Sequence, residues 1–419
     1  MFRFLHAADI HLDSPLSGLE AYDDAPVDEI RGASRRAFDN LIDLAIDEEV
    51  DFLLLAGDLY DGDWKDYNTG LFFVDRMARL NRADIPVFIV AGNHDAASRI
   101  THSLRLPDNV RSFSTAQSET FLLDPLGVAI HGQGYKSRAL TDDIASSYPQ
   151  HLPHYFNIGL LHTALTGKKG HEPYAPCSID TLNSKGYDYW ALGHIHKREE
   201  VSRNPFILFP GNIQGRHIRE TGAKGATMVT VEGGEITDLN HMPLDVLRWS
   251  HCLVDISNCE TGEAVYDKVR QILEKEQDLA DERTLAVRLE LSGATPLHSE
   301  LFAHSGHWSE EFRGLATSLG DMWLEKIIFK TSRLFSLEEM AGDENPLTGL
   351  LHRVDDLDLA PDVLLDLVPE IAAFKAKLPA EILGGDDPFL DDNTATLKEL
   401  RDEVKELLVN ILSSQGNQT

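Results

Sequence analysis

The feature that most constrains the fold is a series of short apolar runs in the first half of the chain, each ending in Gly, Asn, His or Asp. The runs are FRFLHAADI, DFLLLAGD, PVFIVAGNHD, GVAIHGQG, FNIGLLHT, YDYWALGHIH and FILFPGN. With helical stretches at about 27–48 and 68–81 between the first three, they are typical of buried strands in an α/β fold. Because ligand sites in open α/β sheets lie outside the carboxyl ends of strands, the terminal polar residues predict a site there.

The chain divides into three segments by pattern. After the α/β segment, which we place at 1–245, a second segment at 246–333 has the order β-α-β-α-β and predicts a small α/β domain. Its stretch TLAVRLELSG alternates apolar and polar residues, so its leucines and Val287 are expected to face one side. The last segment, 334–419, is acidic and helical, and GGDDPFLDDN within it is typical of a linker.

The composition is that of a soluble globular protein, with 42% apolar and 26% charged residues in 419. No apolar run is long enough to span a membrane. Three cysteines without C-x-x-C spacing favour a reducing cytoplasm over a disulfide framework. The net charge of −31 argues against binding nucleic acid, although much of the acidic excess lies in the last segment.

Five motifs carry side chains that bind metal ions. They are Asp9-Ile10-His11, Gly57-Asp58, Gly92-Asn93-His94-Asp95, His162 in GLLHT, and Gly193-His194-Ile195-His196. Asp, Asn and His offer oxygen and imidazole ligands, which suit manganese, iron, zinc or magnesium. The D-x-H and H-x-H spacings would place both side chains of a pair on the same side of an extended segment. One such motif is a weak signal, but all five in this order predict a metal site.

These motifs resemble those of the calcineurin-like metallophosphoesterases. Within that superfamily, HAADIHLDSPL, GDLYD, AGNHD, LLHT and LGHIHK are similar to the SbcD-type DNA repair exonucleases, and HLDSPL to their YhaO-like branch. The resemblance is strong over about 1–240, weaker to about 330 and poor beyond. It implies a four-layer α/β/β/α sandwich, a small α/β capping domain and a helical C-terminal tail.

The resemblance also implies a role for each motif residue. It makes Asp58 the bridge between two divalent metal ions, His94 a catalytic group beside the scissile phosphate, and Asp95 the residue that orients the His94 ring. The first ion would be bound by Asp9, His11 and His196, and the second by Asn93, His162 and His194. We expect Mn²⁺, with Fe²⁺, Zn²⁺ and Mg²⁺ as alternatives. Asp95 could instead cap the helix that follows it.

Several other residues lie near the predicted strand ends. Basic residues on the surrounding loops could bind DNA phosphates or form part of a solvated surface: Lys65, Lys168, Lys169, Lys197, Arg198, Arg216 and Arg219. Supporting roles near the site are open for His6, Asp61, Asp63, His131 and Asn212.

The leading functional hypothesis is a metal-dependent DNA exonuclease or phosphodiesterase in DNA repair. The alternative is a phosphoesterase for small nucleotides or phosphoproteins, which would use the same metal site. A third hypothesis is an inactive scaffold, but in a scaffold of this kind the ligand motifs would be incomplete, and here every ligand position is filled. The resemblance implies DNA and an SMC-like ATPase as partners, and a homodimer stays open. The ATPase would bind an apolar helical stripe, unless that stripe packs on its own chain: Leu397, Leu400, Val404, Leu407, Leu408 and Ile411.

Overall fold

The computed structural model describes residues 1–14, 32–60, 67–97, 105–138, 140–165, 175–334 and 346–357, and parts of 397–408. The chain forms two compact units. The first comprises Met1–Cys252, Arg270–Leu289 and Arg313–Ile327; the second comprises Leu253–Val269, Glu290–Phe312 and Ile328–Thr419. The boundaries predicted near 245 and 333 stay predictions.

A first six-stranded sheet belongs to the first unit. Its strands are β1 Phe2–Ala7, β2 Phe52–Leu55, β3 Val87–Ile89, β4 Val110–Ser112, β11 Gly225–Glu232 and β12 Glu235–Pro243. They lie in the order β12-β11-β1-β2-β3-β4. The four strands from β1 to β4 are parallel, and β11 and β12 continue the sheet in antiparallel pairs.

A second six-stranded sheet is built from the strands between β4 and β11. These are β5 Glu119–Leu123, β6 Val128–Gly132, β7 Phe156–His162, β8 Tyr189–Gly193, β9 Glu199–Arg203 and β10 Phe206–Phe209. Their order is β5-β6-β7-β8-β10-β9. Strands β6, β7, β8 and β10 are parallel, with β5 and β9 antiparallel at the two edges.

Both faces of each sheet are covered, which explains the continuous apolar runs. In β2, Phe52 and Leu54 pack between the two sheets, whereas Leu53 and Leu55 face a helical layer. Helices α1 (Ala33–Asp47) and α2 (Tyr67–Arg82) cover the first sheet, and α4 (Ile179–Asn183) with the 3-10 helix Ile144–Ser147 covers the second. The short helix α3 (Asn93–Ala97) follows β3. The predicted four-layer α/β/β/α sandwich is therefore confirmed.

The remaining elements follow the predicted order of strands and helices. Strands β13 (Leu247–Asp255), β14 (Thr284–Ala294) and β15 (Met322–Ser332) form a three-stranded sheet, with β14 in the middle. Along β14 the alternation holds, because Leu285, Val287, Leu289 and Leu291 are all buried. The helices are α5 Gly262–Ala280, α6 His298–Ala303, α7 Ser305–Leu319 and α8 Pro346–Asp355.

The predicted tail is described only in part. Residues 397, 398, 400–402, 404, 405 and 408 are helical, while Leu407, Ile411 and the predicted linker lie outside the described residues. Among the residues that the structure describes, no helix has both the length and the apolar character needed to cross a membrane.

Candidate metal centre

The motif residues meet where parallel strands of both sheets reach their carboxyl ends. Strands β1, β2 and β3 of the first sheet lead into Asp9-Ile10-His11, Asp58 and Asn93-His94-Asp95. In the second sheet, β7 ends at His162 and β8 leads into His194-Ile195-His196. Because the two sheets pack face to face, loops from both converge on one site.

The backbone at four of these positions is left-handed. The φ angles are 51° at Asp9, 45° at His11, 52° at Asp58 and 105° at His194. The prediction that D-x-H and H-x-H form extended segments is therefore wrong, because each strand ends before its motif. The left-handed turns also separate His194 from His196, whose side chains enter different clusters. Non-Gly residues with this backbone are uncommon and concentrate at functional sites.

The first cluster consists of Asp9, His11 and His196. One ligand atom from each lies within 4.8 Å of the others. The Nε2 atoms of His11 and His196 are 3.3 Å apart, and His196 Nε2 is 3.9 Å from Asp9 Oδ1. The Asp9 carboxylate also accepts the backbone N–H of His194, which ties the two sheets together at this point.

The second cluster consists of Asp58, His162 and His194, again with ligand atoms within 4.8 Å. Asn93 Oδ1 joins it, 3.0 Å from His162 Nε2. Asp58 lies between the clusters, because its Oδ2 is 3.4 Å from His162 Nε2 and 3.9 Å from His11 Nε2. The structure thus brings together all seven predicted ligands in two adjacent groups, with Asp58 where a bridging ligand would lie.

The hydrogen bonds of the histidines indicate that the centre is built for cations. Nδ1 of His162 lies 2.9 Å from the carbonyl oxygen of Ala56, so it carries the proton and donates. Nε2 of the same ring faces oxygens of Asn93 and Asp58, so a cation must lie among these atoms, either a proton on Nε2 or a metal ion. Such a convergence of acceptors in a buried site needs a positive charge between them. The donor set of carboxylate, amide oxygen and imidazole therefore fits divalent metal ions.

The electrostatics of the buried carboxylates point the same way. Burial would raise the pKa of Asp58, but the charge and hydrogen bond of His162, together with His11 and His94, lower it. Burial raises the pKa of Asp9 despite the opposing charges of His196 and His162. Burial would lower the pKa of His162, but Asp58 raises it to about 9. The centre thus favours positive charge even on an imidazole.

The chain matches two family models. One, described as calcineurin-like phosphoesterase, matches residues 2–198, and the other, the middle domain of metallophosphoesterase YhaO, matches residues 249–332. A relative from Bacillus subtilis (strain 168), named as an uncharacterized metallophosphoesterase, YhaO, is 37% identical over 297 residues, 70% of this chain and 72% of the relative. The chain belongs to the calcineurin-like metallophosphoesterases. It is therefore in a family of phosphoester hydrolases, and its two clusters indicate a pair of divalent metal ions.

A solved structure, of a dimetal phosphatase from Danio rerio, is 14% identical to this metallophosphoesterase. The match has a TM-score of 0.33 and covers 55% of this chain and 93% of the phosphatase.

His94 lies beside the first cluster of the metallophosphoesterase. Its ring meets the His11 ring edge to face, with centroids 5.0 Å apart. Its backbone N–H donates to Asp58 Oδ1 at 2.9 Å, so the Asp58 carboxylate also fixes the start of helix α3. His94 is outside both groups of ligand atoms, and its catalytic role stays a prediction.

Asp95 has partners other than the predicted one. Its Oδ1 accepts the backbone N–H groups of Leu59 and Tyr60, and its Oδ2 accepts that of Gly92 at 2.9 Å. These bonds to backbone donors do not test whether Asp95 also orients the His94 ring, which stays a prediction. Gly92 precedes helix α3, and the bond from its N–H to Asp95 is one of the two hydrogen bonds of a capping box. This agrees with the alternative that Asp95 caps the helix. Burial and the Asp58 charge raise the pKa of Asp95 to about 6.

The predicted basic residues are distributed unevenly around the metallophosphoesterase centre. Arg216 lies at the first cluster, with Nη2 3.2 Å from His196 Nδ1. Arg198 pairs with Glu200 at 3.1 Å, and Lys197 and Arg219 are exposed. Lys65, Lys168 and Lys169 lie outside the described residues, as do Asp61 and Asp63.

Three residues left open by the sequence have structural partners. His6 is fully buried and bridges the sheets, with Nδ1 3.0 Å from the Tyr189 hydroxyl and Nε2 3.1 Å from the Leu192 carbonyl oxygen. His131 lies within the second sheet, between Thr120 and Asn157. Asn212 donates to the carboxylate of Glu220.

Glu220 is a residue of the site that the sequence does not predict. Its buried carboxylate accepts from Nδ1 of His196, one of the predicted ligands, at 2.6 Å. It lies in the loop between β10 and β11, 24 residues after His196, and no motif marks it. One glutamate in a chain with 69 acidic residues gives no signal without the fold.

Proposed function

We propose that this metallophosphoesterase is a metal-dependent DNA exonuclease or phosphodiesterase acting in DNA repair. The observation that carries the proposal is the pair of adjacent clusters on either side of Asp58, with His94 beside them. Such an arrangement suits in-line attack on a phosphoester, in which two ions stabilise both the attacking and the leaving oxygen.

The protein's own residues have separate tasks in this scheme. Asp9, His11, Asp58, Asn93, His162, His194 and His196 would hold the two ions, which supply Lewis acidity when bound. His94 contacts the phosphate, where it stabilises developing negative charge or protonates the leaving oxygen. Asp95 holds the loops after β2 and β3 through three backbone N–H groups, and so keeps Asp58 and His94 in place.

DNA as the substrate is supported by two observations. Arg216 lies at the first cluster, exposed Lys197 directly follows His196, and exposed Arg219 is three residues after Arg216, although the chain as a whole is strongly acidic. Cations placed at the site of an otherwise acidic protein suit a polyanion that extends beyond the scissile bond. The second observation is the similarity of the five motifs to SbcD-type nucleases.

An assay on three substrates tests the proposal. Linear duplex DNA labelled at either end, bis-p-nitrophenyl phosphate and p-nitrophenyl phosphate are each incubated with the metallophosphoesterase and Mn²⁺, with the Asp58→Asn variant as the control for contaminating nucleases. We expect progressive shortening of the DNA by wild type alone. Hydrolysis of only the small esters would favour the small-molecule phosphoesterase instead.

We propose Mn²⁺ as the supporting ion. Imidazoles outnumber carboxylates in the two clusters, and Mg²⁺ prefers oxygen ligands and retains its waters. After thorough chelation, activity should return with Mn²⁺ and only weakly with Mg²⁺. Equal rates with the two ions would contradict this choice.

We further propose an SMC-like ATPase as the partner, bound through the C-terminal helix. Within the described residues of that helix, Leu400 and Val404 are 49% and 42% exposed. The neighbouring edge is held in its own unit, where Lys405 Nζ lies 2.7 Å from the Asp355 carboxylate. A contact of the helix with its own unit and two exposed apolar side chains among its described residues support this proposal.

A further inference from the structure

We infer that Glu220 is a positioning residue for the first metal site, and that it acts by fixing the orientation and the protonated nitrogen of His196. The inference rests on the proposed role of His196 as a ligand. It does not depend on whether the substrate is DNA.

The two oxygens of the Glu220 carboxylate have different partners. Oε1 lies 2.6 Å from His196 Nδ1 and 3.6 Å from Arg216 Nη2. Oε2 accepts from Asn212 Nδ2 at 2.8 Å and from the backbone N–H of Arg216 at 2.7 Å. One oxygen therefore faces the ligand, and the other faces the loop.

These contacts leave the carboxylate no freedom to turn. Glu220 is 7% exposed, and its Oε1 also lies 3.6 Å from Nε2 of His217. A contact of 2.6 Å between Oε1 and His196 Nδ1 is a hydrogen bond in which the carboxylate oxygen accepts, so we assign the ring proton to Nδ1. In the neutral ring Nε2 then has the lone pair, and it is Nε2 that faces Asp9 and His11.

A carboxylate behind a histidine ligand affects metal affinity in two ways. It holds the ring at the angle at which Nε2 can bind the ion, and its charge makes the ring a stronger donor. His162 has only a neutral backbone carbonyl, that of Ala56, in the same place. The two metal sites therefore differ in their supporting groups, and removal of Glu220 should affect the first site selectively.

Binding of Mn²⁺ to the metal-free, full-length protein, followed by isothermal titration calorimetry with metal content as a check, tests the inference. Wild type should bind two ions. Glu220→Gln keeps an acceptor for His196 but loses the charge, and Glu220→Ala loses both. We expect the affinity of one site to fall about 10–100-fold in Glu220→Ala and by less in Glu220→Gln, with the other site unchanged.

Two variants separate positioning from a purely structural role. Asn212→Ala removes a partner of Oε2 without touching His196, and should lower the melting temperature of the metal-free protein but keep two ions. Glu200→Gln removes the charge of a different carboxylate, one that pairs with Arg198 and Arg203, and should change neither measurement. The inference is overturned if Glu220→Gln and Glu220→Ala bind two ions with wild-type affinity, or if Asn212→Ala loses the ion as they do.

Discussion

At the scale of single residues, Asp58 and His94 are in contact, but we expect substitutions at the two positions to have different effects on metal binding and activity. Asp58→Asn keeps the shape and an acceptor for the His94 N–H but removes the charge between the clusters. It should lose both bound metal and activity. His94→Ala should keep two metal ions and lose about 10²–10⁴-fold in turnover, because it removes a group that acts on the substrate.

Two measurements distinguish the Asp58 and His94 variants. They are the metal content of the purified proteins and the Mn²⁺-dependent hydrolysis of bis-p-nitrophenyl phosphate. A metal-free His94→Ala protein would show that His94 supports the ligands rather than the reaction.

The buried His6 should make the stability of the protein depend on pH. Burial lowers its pKa to about 3 against an ordinary 6.5, even though its bond to the Leu192 carbonyl oxygen opposes the change. Below pH 6.5 the His6 side chain therefore binds a proton in the unfolded chain but not in the folded chain. The free energy of unfolding decreases as the pH falls from 6.5 towards 3. This residue alone should cost about 1.4 kcal/mol between pH 7.5 and 5.5.

Urea unfolding of wild type and His6→Gln in the presence of a chelator measures that contribution. The variant should be the less stable protein at pH 7.5, and the difference should narrow by about 1.4 kcal/mol at pH 5.5. A difference that is the same at both pH values would show that His6 does not resist protonation.

The ligand residues can be predicted from the sequence because their side chains are rare in combination at strand ends. The residues that hold these ligands in place cannot be predicted in the same way. The resemblance pairs Asp95 with the His94 ring, but it gives no sign of the three backbone N–H groups that the Asp95 carboxylate accepts, because only the folded loops bring them together. Glu220 meets His196 through a loop whose course is not encoded in any local pattern.

At the scale of elements, the strands are evident from the sequence, but their close approach at the site is not. A Cβ on Gly193, the last residue of β8, would lie 1.9 Å from the carbonyl oxygen of Ala56, just after β2. The sequence predicts that the glycines of the motifs allow turns. Gly193 instead allows the two sheets to meet, since its neighbour in space is backbone of the other sheet.

Gly193→Ala should therefore lower the free energy of unfolding by about 3 kcal/mol or more and reduce metal content, because neither backbone can give way. The matched control is Gly314→Ala within helix α7. A Cβ there meets nothing within 4 Å, so the change should raise the free energy of unfolding by about 0.5–1 kcal/mol. Chemical denaturation of both variants checks the pair, and a Gly193→Ala protein as stable as wild type would contradict the structure.

At the scale of the whole molecule, the C-terminal helix should be dispensable for catalysis and needed for the ATPase. The double change Leu400→Glu and Val404→Glu places two negative charges on the exposed apolar edge. It should abolish binding to the SMC-like ATPase, with melting temperature and hydrolysis of small esters unchanged. Lys398→Glu, on the same helix, alters the charge equally and should keep the partner.

Co-purification of the two proteins from a coexpression strain gives the readout. If the double variant unfolds or precipitates, the apolar edge belongs to the protein's own core and the proposed docking role fails.

Each ligand cluster takes side chains from both sheets, and this has a consequence for the protein's biosynthesis. Neither cluster is complete in a nascent chain that has not yet reached His194 and His196. Strand β11, which pairs with β1, is synthesised later still. A nascent chain that lacks these elements therefore has an incomplete set of ligands for either ion, and we expect no hydrolysis of phosphoesters until translation has delivered both halves of the sandwich.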